Sequence, residues 1–165
     1  MISKFSSFIT EEDTAVEQVM TIDKGLEVNL SDFYVFYVKV QNYHWNVEGP
    51  DFAQYHKFLN ELYELVQEEI DGIAEQTRTL DIKVNGSLSN FLKNSSIADE
   101  QGQPNALTML SNLEKDNQAL LNNLYTSYDI AEKSRKLGIS NFIQDLITSH
   151  EKYAWMLRSF QKDSQ

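Results

Sequence analysis

Cysteine is absent from the 165-residue sequence, and proline and glycine are scarce, with two and six copies respectively. Without cysteine the chain has no disulfide, no thiolate metal ligand and no cysteine nucleophile. Any bound metal would have to be held by imidazole and carboxylate groups, a ligand set that suits iron, manganese or zinc. Because proline and glycine interrupt the chain so rarely, long helices are favoured.

Long apolar runs are missing as well. The beginning, MISKFSSFITEED, does not resemble a signal peptide, and no segment approaches the roughly 20 apolar residues of a transmembrane helix. The expected location is therefore the cytoplasm, with no membrane partner. Lysine and arginine number 14 against 25 acidic residues, which gives a net charge of −11. This charge repels nucleic acid and attracts cations.

The remaining composition favours a folded helical domain. Hydrophobic residues make up 41% and aromatic residues 12% of the chain, so a disordered chain is not expected. Apolar residues recur at three- and four-residue steps, which predicts helices at about 23–46, 52–80, 105–136 and 140–160, the last after a stop at Gly138. A single helical turn is predicted around 88–92, inside a polar connection.

The predicted helices divide the chain into two parts. Residues 1–22 form an N-terminal extension in which Thr10 or Asp13 could cap a short helix to about Met20. Residues 23–165 form the domain. Four long helices with one connection longer than the others predict an all-α fold, a four-helix bundle with a crossover.

Four residues of the first two long helices are candidate metal ligands. His44 lies near the end of one helix and His56 in the first turns of the next, so the intervening turn, NVEGPD, can bring them together. Asp71 and Glu75 are four residues apart and share a helical face, where two carboxylates repel each other unless a cation lies between them. The pattern predicts a two-histidine half-site and a two-carboxylate half-site.

These half-sites cannot meet within one chain. Fifteen residues separate His56 from Asp71, which corresponds to about 22 Å along a helix. If two copies of this helix pair antiparallel about a twofold axis near Tyr63 and Glu64, His56 of one copy faces Asp71 of the other. A symmetric dimer would then contain two identical composite sites.

Ordinary structural roles remain open for each of these residues. A lone histidine on a helix is usually structural or solvated, and acidic residues on a helix usually form its wet face. Trp45, beside His44, is most simply a core or interface aromatic.

Two segments resemble the signature of the Dps miniferritins, the DNA-protection-during-starvation family. They are KVQNYHWNVEGPDFAQYHKF and, further along the chain, IDGIAEQ. The match consists of His44, Trp45, Asn46, Val47 and Gly49, with His56 twelve residues after the first histidine and with Asp71 and Glu75 within DGIAE. HEKYAWMLRSF, near the end of the sequence, resembles the last helix of the family.

The resemblance implies a ferritin-like bundle that assembles into a hollow dodecamer built from twofold dimers. It implies a ferroxidase site at each dimer interface, where Fe(II) is oxidised by hydrogen peroxide, less readily by oxygen, and ferric mineral is then stored in the cavity. By matching positions, His44 and His56 would come from one subunit, and Asp71 and Glu75 from its partner. Iron is then the expected metal, with zinc or manganese as possible substitutes, and Trp45 could pack over the site and intercept oxidising equivalents.

The sequence departs from the family pattern at three places. Many relatives have a carboxylate one turn after the second histidine, where this chain has Asn60, a neutral and weaker ligand. The lysine-rich terminus that usually serves DNA binding is missing, so DNA binding is not expected. The segment GISNFIQD offers only Asp145 where relatives often line their entry pores with aspartates.

Three functions are therefore compared. The leading one is an enzyme, an iron-oxidising and peroxide-consuming storage shell. The first alternative is a DNA-compacting structural protein, which the charge disfavours. The second is a family member whose site has decayed or holds zinc, which Asn60 favours.

Overall fold

The structure, a computed structural model, describes residues 20–162. The predicted short helix of the N-terminal extension falls on residues before this range, and the division of the chain at residue 22 stays a prediction. Within the described residues there are five helices and no strand: α1 (Ile22–Asn46), α2 (Phe52–Thr79), α3 (Leu88–Asn94), α4 (Ala106–Lys133) and α5 (Leu137–Phe160). None of these helices is long and apolar enough to cross a membrane.

The four long helices form one bundle around a continuous apolar core. Helix α1 packs against α2 and α4, and α4 packs against α5. The core consists of the apolar positions that recur at helical spacing. Its large, fully buried side chains include Phe33, Phe36, Leu59, Leu62, Ile73, Leu110, Leu113, Leu120, Leu124 and Ile143. The predicted four-helix bundle with a short helix in its long connection is confirmed.

The predicted helix stop at Gly138 is wrong. The chain reverses at Arg135, which takes a left-handed backbone conformation with φ 54°. There the N–H of Lys136 donates to the carbonyl of Ala131 at 2.9 Å, a bond typical of a left-handed helix end. Gly138 lies in the first turn of α5, which begins at Leu137 rather than at Ser140.

The long connection between α2 and α4 is attached to α1 through a buried carboxylate. Asp32 accepts hydrogen bonds from Ser95 Oγ at 2.8 Å, from Ser96 N and Oγ at 2.6 and 2.9 Å, and from Asn123 Nδ2 at 2.7 Å. Its side chain is fully buried. Because the charged group has several donors, its burial does not leave it unsatisfied.

A second attachment lies further along the same connection. The Tyr43 hydroxyl donates to the Glu100 carboxylate and accepts from Asn112 Nδ2 at 3.0 Å. Burial, followed by the bond to Glu100, raises the pKa of Tyr43, whereas the Tyr43 hydroxyl lowers the pKa of Glu100. At neutral pH the pair is therefore a neutral phenol donating to an ionised carboxylate, which fixes Tyr43 on the side of α1 that faces the core.

Candidate metal centre

The turn between α1 and α2 brings the two predicted histidines together. Helix α1 ends at Asn46, Gly49 takes φ 120°, and α2 begins at Phe52. A φ of this value is readily adopted only by glycine. The reversal places His44, in the last turn of α1, beside His56, in the second turn of α2, as the sequence predicts.

Each histidine is held by the backbone of the other. Nδ1 of His44 lies 3.0 Å from the carbonyl oxygen of His56, and Nδ1 of His56 lies 2.9 Å from the carbonyl oxygen of His44. Because a carbonyl oxygen only accepts, each Nδ1 carries the hydrogen. In the neutral imidazoles, each Nε2 then has a free lone pair, which is the form that binds a metal.

The two imidazoles also form one stacked unit. Their centroids are 3.8 Å apart with 20° between the planes. Phe52 stacks on His56 at 5.0 Å, and Tyr63 meets the His44 ring edge-on at 5.2 Å. These contacts, together with the paired hydrogen bonds, leave the two rings little freedom to change rotamer.

The aromatic residues that contact the two histidines are Phe52 and Tyr63, whereas the sequence suggests Trp45. Trp45 is 67% exposed in the protomer, so its packing over a site shared by two subunits stays a prediction, and the aromatic ring that stacks on His56 is that of Phe52. From the sequence, Tyr63 is placed only near the expected twofold axis. Its place was foreseeable from the spacing of His56, Asn60 and Tyr63, which share one face at steps of four and three residues.

The two predicted carboxylates lie apart from the histidines in the same chain. Asp71 and Glu75 are exposed on α2. Asp71 borders an open groove of about 1070 Å³ that is also lined by Tyr34, Glu64 and Glu68. Among residues 20–162, no three histidine or carboxylate side chains come close enough to hold a metal ion within one chain. The protomer therefore presents two half-sites, and the sharing of ligands between subunits stays a prediction.

Gly72 lets α5 approach the helical turn that carries the two carboxylates. A Cβ at Gly72 would lie 2.8 Å from two ring atoms of Phe142, a distance shorter than carbon contacts allow. The absent side chain therefore leaves room for the Phe142 ring beside Asp71.

Asn60, the residue that departs from the family pattern, lies one turn after His56 and is half-buried. Its side-chain oxygen accepts a hydrogen bond of 2.9 Å from the Tyr63 hydroxyl. A metal approaching Asn60 would meet a neutral oxygen that already has a donor.

The third histidine belongs to the core. His150 is fully buried, with Nε2 2.9 Å from Glu69 Oε2 and Nδ1 2.5 Å from Asn117 Oδ1. Nδ2 of Asn117 donates to the His150 carbonyl at 2.9 Å, which fixes the orientation of the amide. Both ring nitrogens are therefore engaged by side chains of neighbouring helices, and His150 ties α5 to α2 and α4.

The sequence of this chain is similar to proteins of one family. The ferritin-like domain family matches residues 24–165. The low temperature-induced protein all0458 of Nostoc sp. is 38% identical over 87% of this chain and 82% of its own length. DNA protection during starvation protein 2 of Bacillus anthracis is 33% identical over 82% of this chain and 92% of its own.

Solved structures agree with this result. The Dps protein of Bacillus brevis superposes with a TM-score of 0.83 at 28% identity, over 86% of this chain and 95% of the other. A Dps protein of Vibrio cholerae O1 superposes with a TM-score of 0.83 at 28% identity, over 86% of this chain and 89% of the other. That protein is described as a member of a broad superfamily of ferritin-like diiron-carboxylate proteins. The chain belongs to the Dps family of ferritin-like proteins.

Proposed function

We propose that this protein oxidises Fe(II), preferably with hydrogen peroxide, at sites shared by two subunits, and stores the ferric product inside a hollow dodecamer. The observation that carries the proposal is the reciprocal bonding of His44 and His56. It holds two free Nε2 atoms ready for a metal before any metal binds. A decayed site would not require this arrangement.

The partner subunit completes the site in this proposal. Two imidazoles alone are a poor site for iron, which also takes carboxylate ligands. Asp71 and Glu75 are exposed, and among residues 20–162 no histidine or further carboxylate completes a metal site with them. A twofold dimer with antiparallel α2 helices brings the carboxylates of one subunit to the histidines of the other, twice per dimer.

The chemistry follows from this mixed ligand set. Carboxylates stabilise Fe(III) as well as Fe(II), and the imidazoles leave part of the coordination sphere open for the oxidant. Each Fe(II) loses one electron and a peroxide molecule takes two, so a turnover consumes two iron ions. Zinc and manganese, which accept the same ligands, are expected to compete with iron for the site.

Removal of either carboxylate tests the proposal. Asp71→Ala and Glu75→Ala are each expected to slow the rapid phase of peroxide-driven Fe(II) oxidation by about 10- to 100-fold. The reason is that the histidine pair alone binds iron weakly. Stopped-flow absorbance of the ferric product measures the rate, and native mass spectrometry checks that the assembly is intact.

Two further variants serve as controls for that experiment. Glu151→Ala removes an exposed carboxylate on α5 that only accepts from Tyr125. His150→Ala removes the buried histidine and is expected to lower stability while leaving the rapid phase nearly unchanged. A larger loss of oxidation in His150→Ala than in Asp71→Ala would contradict the ligand assignment.

The names of the relatives raise a second candidate function, protection by binding DNA. The net charge of −11 per chain predicts repulsion from phosphate instead. We expect no gel shift of plasmid DNA at physiological ionic strength in the presence of a chelator. Tight binding under those conditions would favour the DNA-compacting function.

A further inference from the structure

The pair formed by Asn60 and Tyr63 lies on the same face of α2 as His56. The Tyr63 hydroxyl donates to Asn60 Oδ1 at 2.9 Å. The Tyr63 ring meets the rings of His44 and Tyr37 edge-on, at 5.2 and 6.2 Å. The phenol is thus fixed by two aromatic contacts, and its hydroxyl group is fixed by the amide.

This bond decides which group of Asn60 is available to a ligand. A side-chain amide has one oxygen that can bind a cation and one NH₂ group that can only donate. The oxygen is engaged by Tyr63, and within the described residues the NH₂ group donates to no side chain or carbonyl. The oxygen keeps a second lone pair, but a cation bound there must compete with the Tyr63 hydrogen bond, so Asn60 is a weak ligand for a second metal ion.

We infer that Tyr63 is a positioning residue that limits each composite site to one firmly held divalent cation. It does so by engaging the oxygen of Asn60, which lies one turn after His56 on the same face of α2. The inference rests on the proposed function, because it concerns the same interfacial site. It goes further in naming a residue outside the ligand set and in fixing the metal count.

Cobalt(II) is a suitable probe, because it accepts the same ligands and can be titrated without peroxide. Calorimetry and visible absorbance of the assembled protein are expected to give one tight Co(II) per site in the wild type. Tyr63→Phe keeps the ring and removes the donor. It is expected to tighten binding of a second Co(II) by about tenfold, since a competing hydrogen bond has been lost. Asn60→Asp is expected to bind two Co(II) tightly.

The matched control is Tyr37→Phe, which removes a hydroxyl from the same aromatic group. That hydroxyl accepts from Gln41 at 3.1 Å and does not contact Asn60, so the Co(II) count should stay at one. In Asn60→Ala with Tyr63→Phe the second Co(II) should be lost again, which would identify the Asn60 oxygen as the gained ligand.

The possible outcomes separate this inference from the proposed function. Two equally tight Co(II) ions in the wild type, or an unchanged count in Tyr63→Phe, would overturn the role of Tyr63 and leave the interfacial site standing. If His44→Ala left tight Co(II) binding unchanged, the composite site would be wrong, and the inference about Tyr63 would be wrong with it.

Discussion

Shells that contain equal amounts of two inactive variants are expected to regain about a quarter of the wild-type ferroxidase sites. One variant carries His44→Ala and His56→Ala, and the other carries Asp71→Ala and Glu75→Ala. Each variant alone lacks half of every composite site. In a mixed dimer, the intact histidines of one subunit face the intact carboxylates of the other at one of the two sites.

The expected fraction follows from the symmetry of the interface. With random assembly about half of the dimers are mixed, and each mixed dimer has one complete and one doubly defective site. Co-expression with two different tags followed by tandem purification gives mixed shells, and stopped-flow Fe(II) oxidation with peroxide gives the amplitude of the rapid phase. The amplitude should follow the fraction of mixed dimers as the expression ratio is varied.

The control is a mixture of the two variants after each has assembled separately, which should stay inactive as long as subunits do not exchange. Native mass spectrometry establishes how many mixed shells are present. Inactive mixed shells would contradict the sharing of ligands between subunits. Full activity in either variant alone would contradict the ligand assignment itself.

Asp32→Ala is expected to lower the free energy of unfolding by about 3 kcal/mol per subunit, more than any other substitution named above. The substitution removes the acceptor shared by Ser95, Ser96 and Asn123. It leaves the backbone N–H of Ser96 without its acceptor. The side chains of Ser95 and Asn123 keep only their second acceptors, Ile97 O at 3.2 Å and Ser96 Oγ at 3.0 Å. The midpoint of guanidinium unfolding, followed by circular dichroism, should fall accordingly.

Hydrogen exchange can localise this effect. The backbone N–H of Ser96, which donates to Asp32 at 2.6 Å, should lose most of its protection, while the amides in the middle of α2 keep theirs. Asp99→Ala removes an exposed carboxylate from the same connection and should change stability by less than about 0.5 kcal/mol. Equal effects of the two substitutions would show that Asp32 does not anchor the connection.

The sequence is sufficient to predict the helices and the meeting of His44 with His56. Helical spacing fixes which face of each helix is apolar, and the short Gly-Pro turn fixes which helix ends lie together. The same spacing shows that His56 and Asp71 cannot meet in one chain. These predictions succeed because they depend on contacts that are local or imposed by a short turn.

The remaining features are not determined by helical spacing. Helix α4 ends at Lys133, and the left-handed conformation that follows at Arg135 costs about 1–2 kcal/mol for a residue other than glycine, so the sequence favours Gly138 as the stop. The contact of His150 Nε2 with Glu69 Oε2 joins residues 81 positions apart. The hydrogen bond between Tyr63 and Asn60 joins residues only three positions apart. Helical spacing shows that the two side chains are neighbours, but it does not show that they form a hydrogen bond.

The paired hydrogen bonds of His44 and His56 also affect how a metal ion would enter and leave the proposed site. Fixing two side chains in a single rotamer costs conformational entropy, and here folding has already met that cost. An arriving ion therefore need not reorganise the backbone, and a departing ion leaves behind a turn that keeps its shape. Under the proposed function, the site would therefore be rigid rather than a switch, which suits an ion that binds, reacts and moves on.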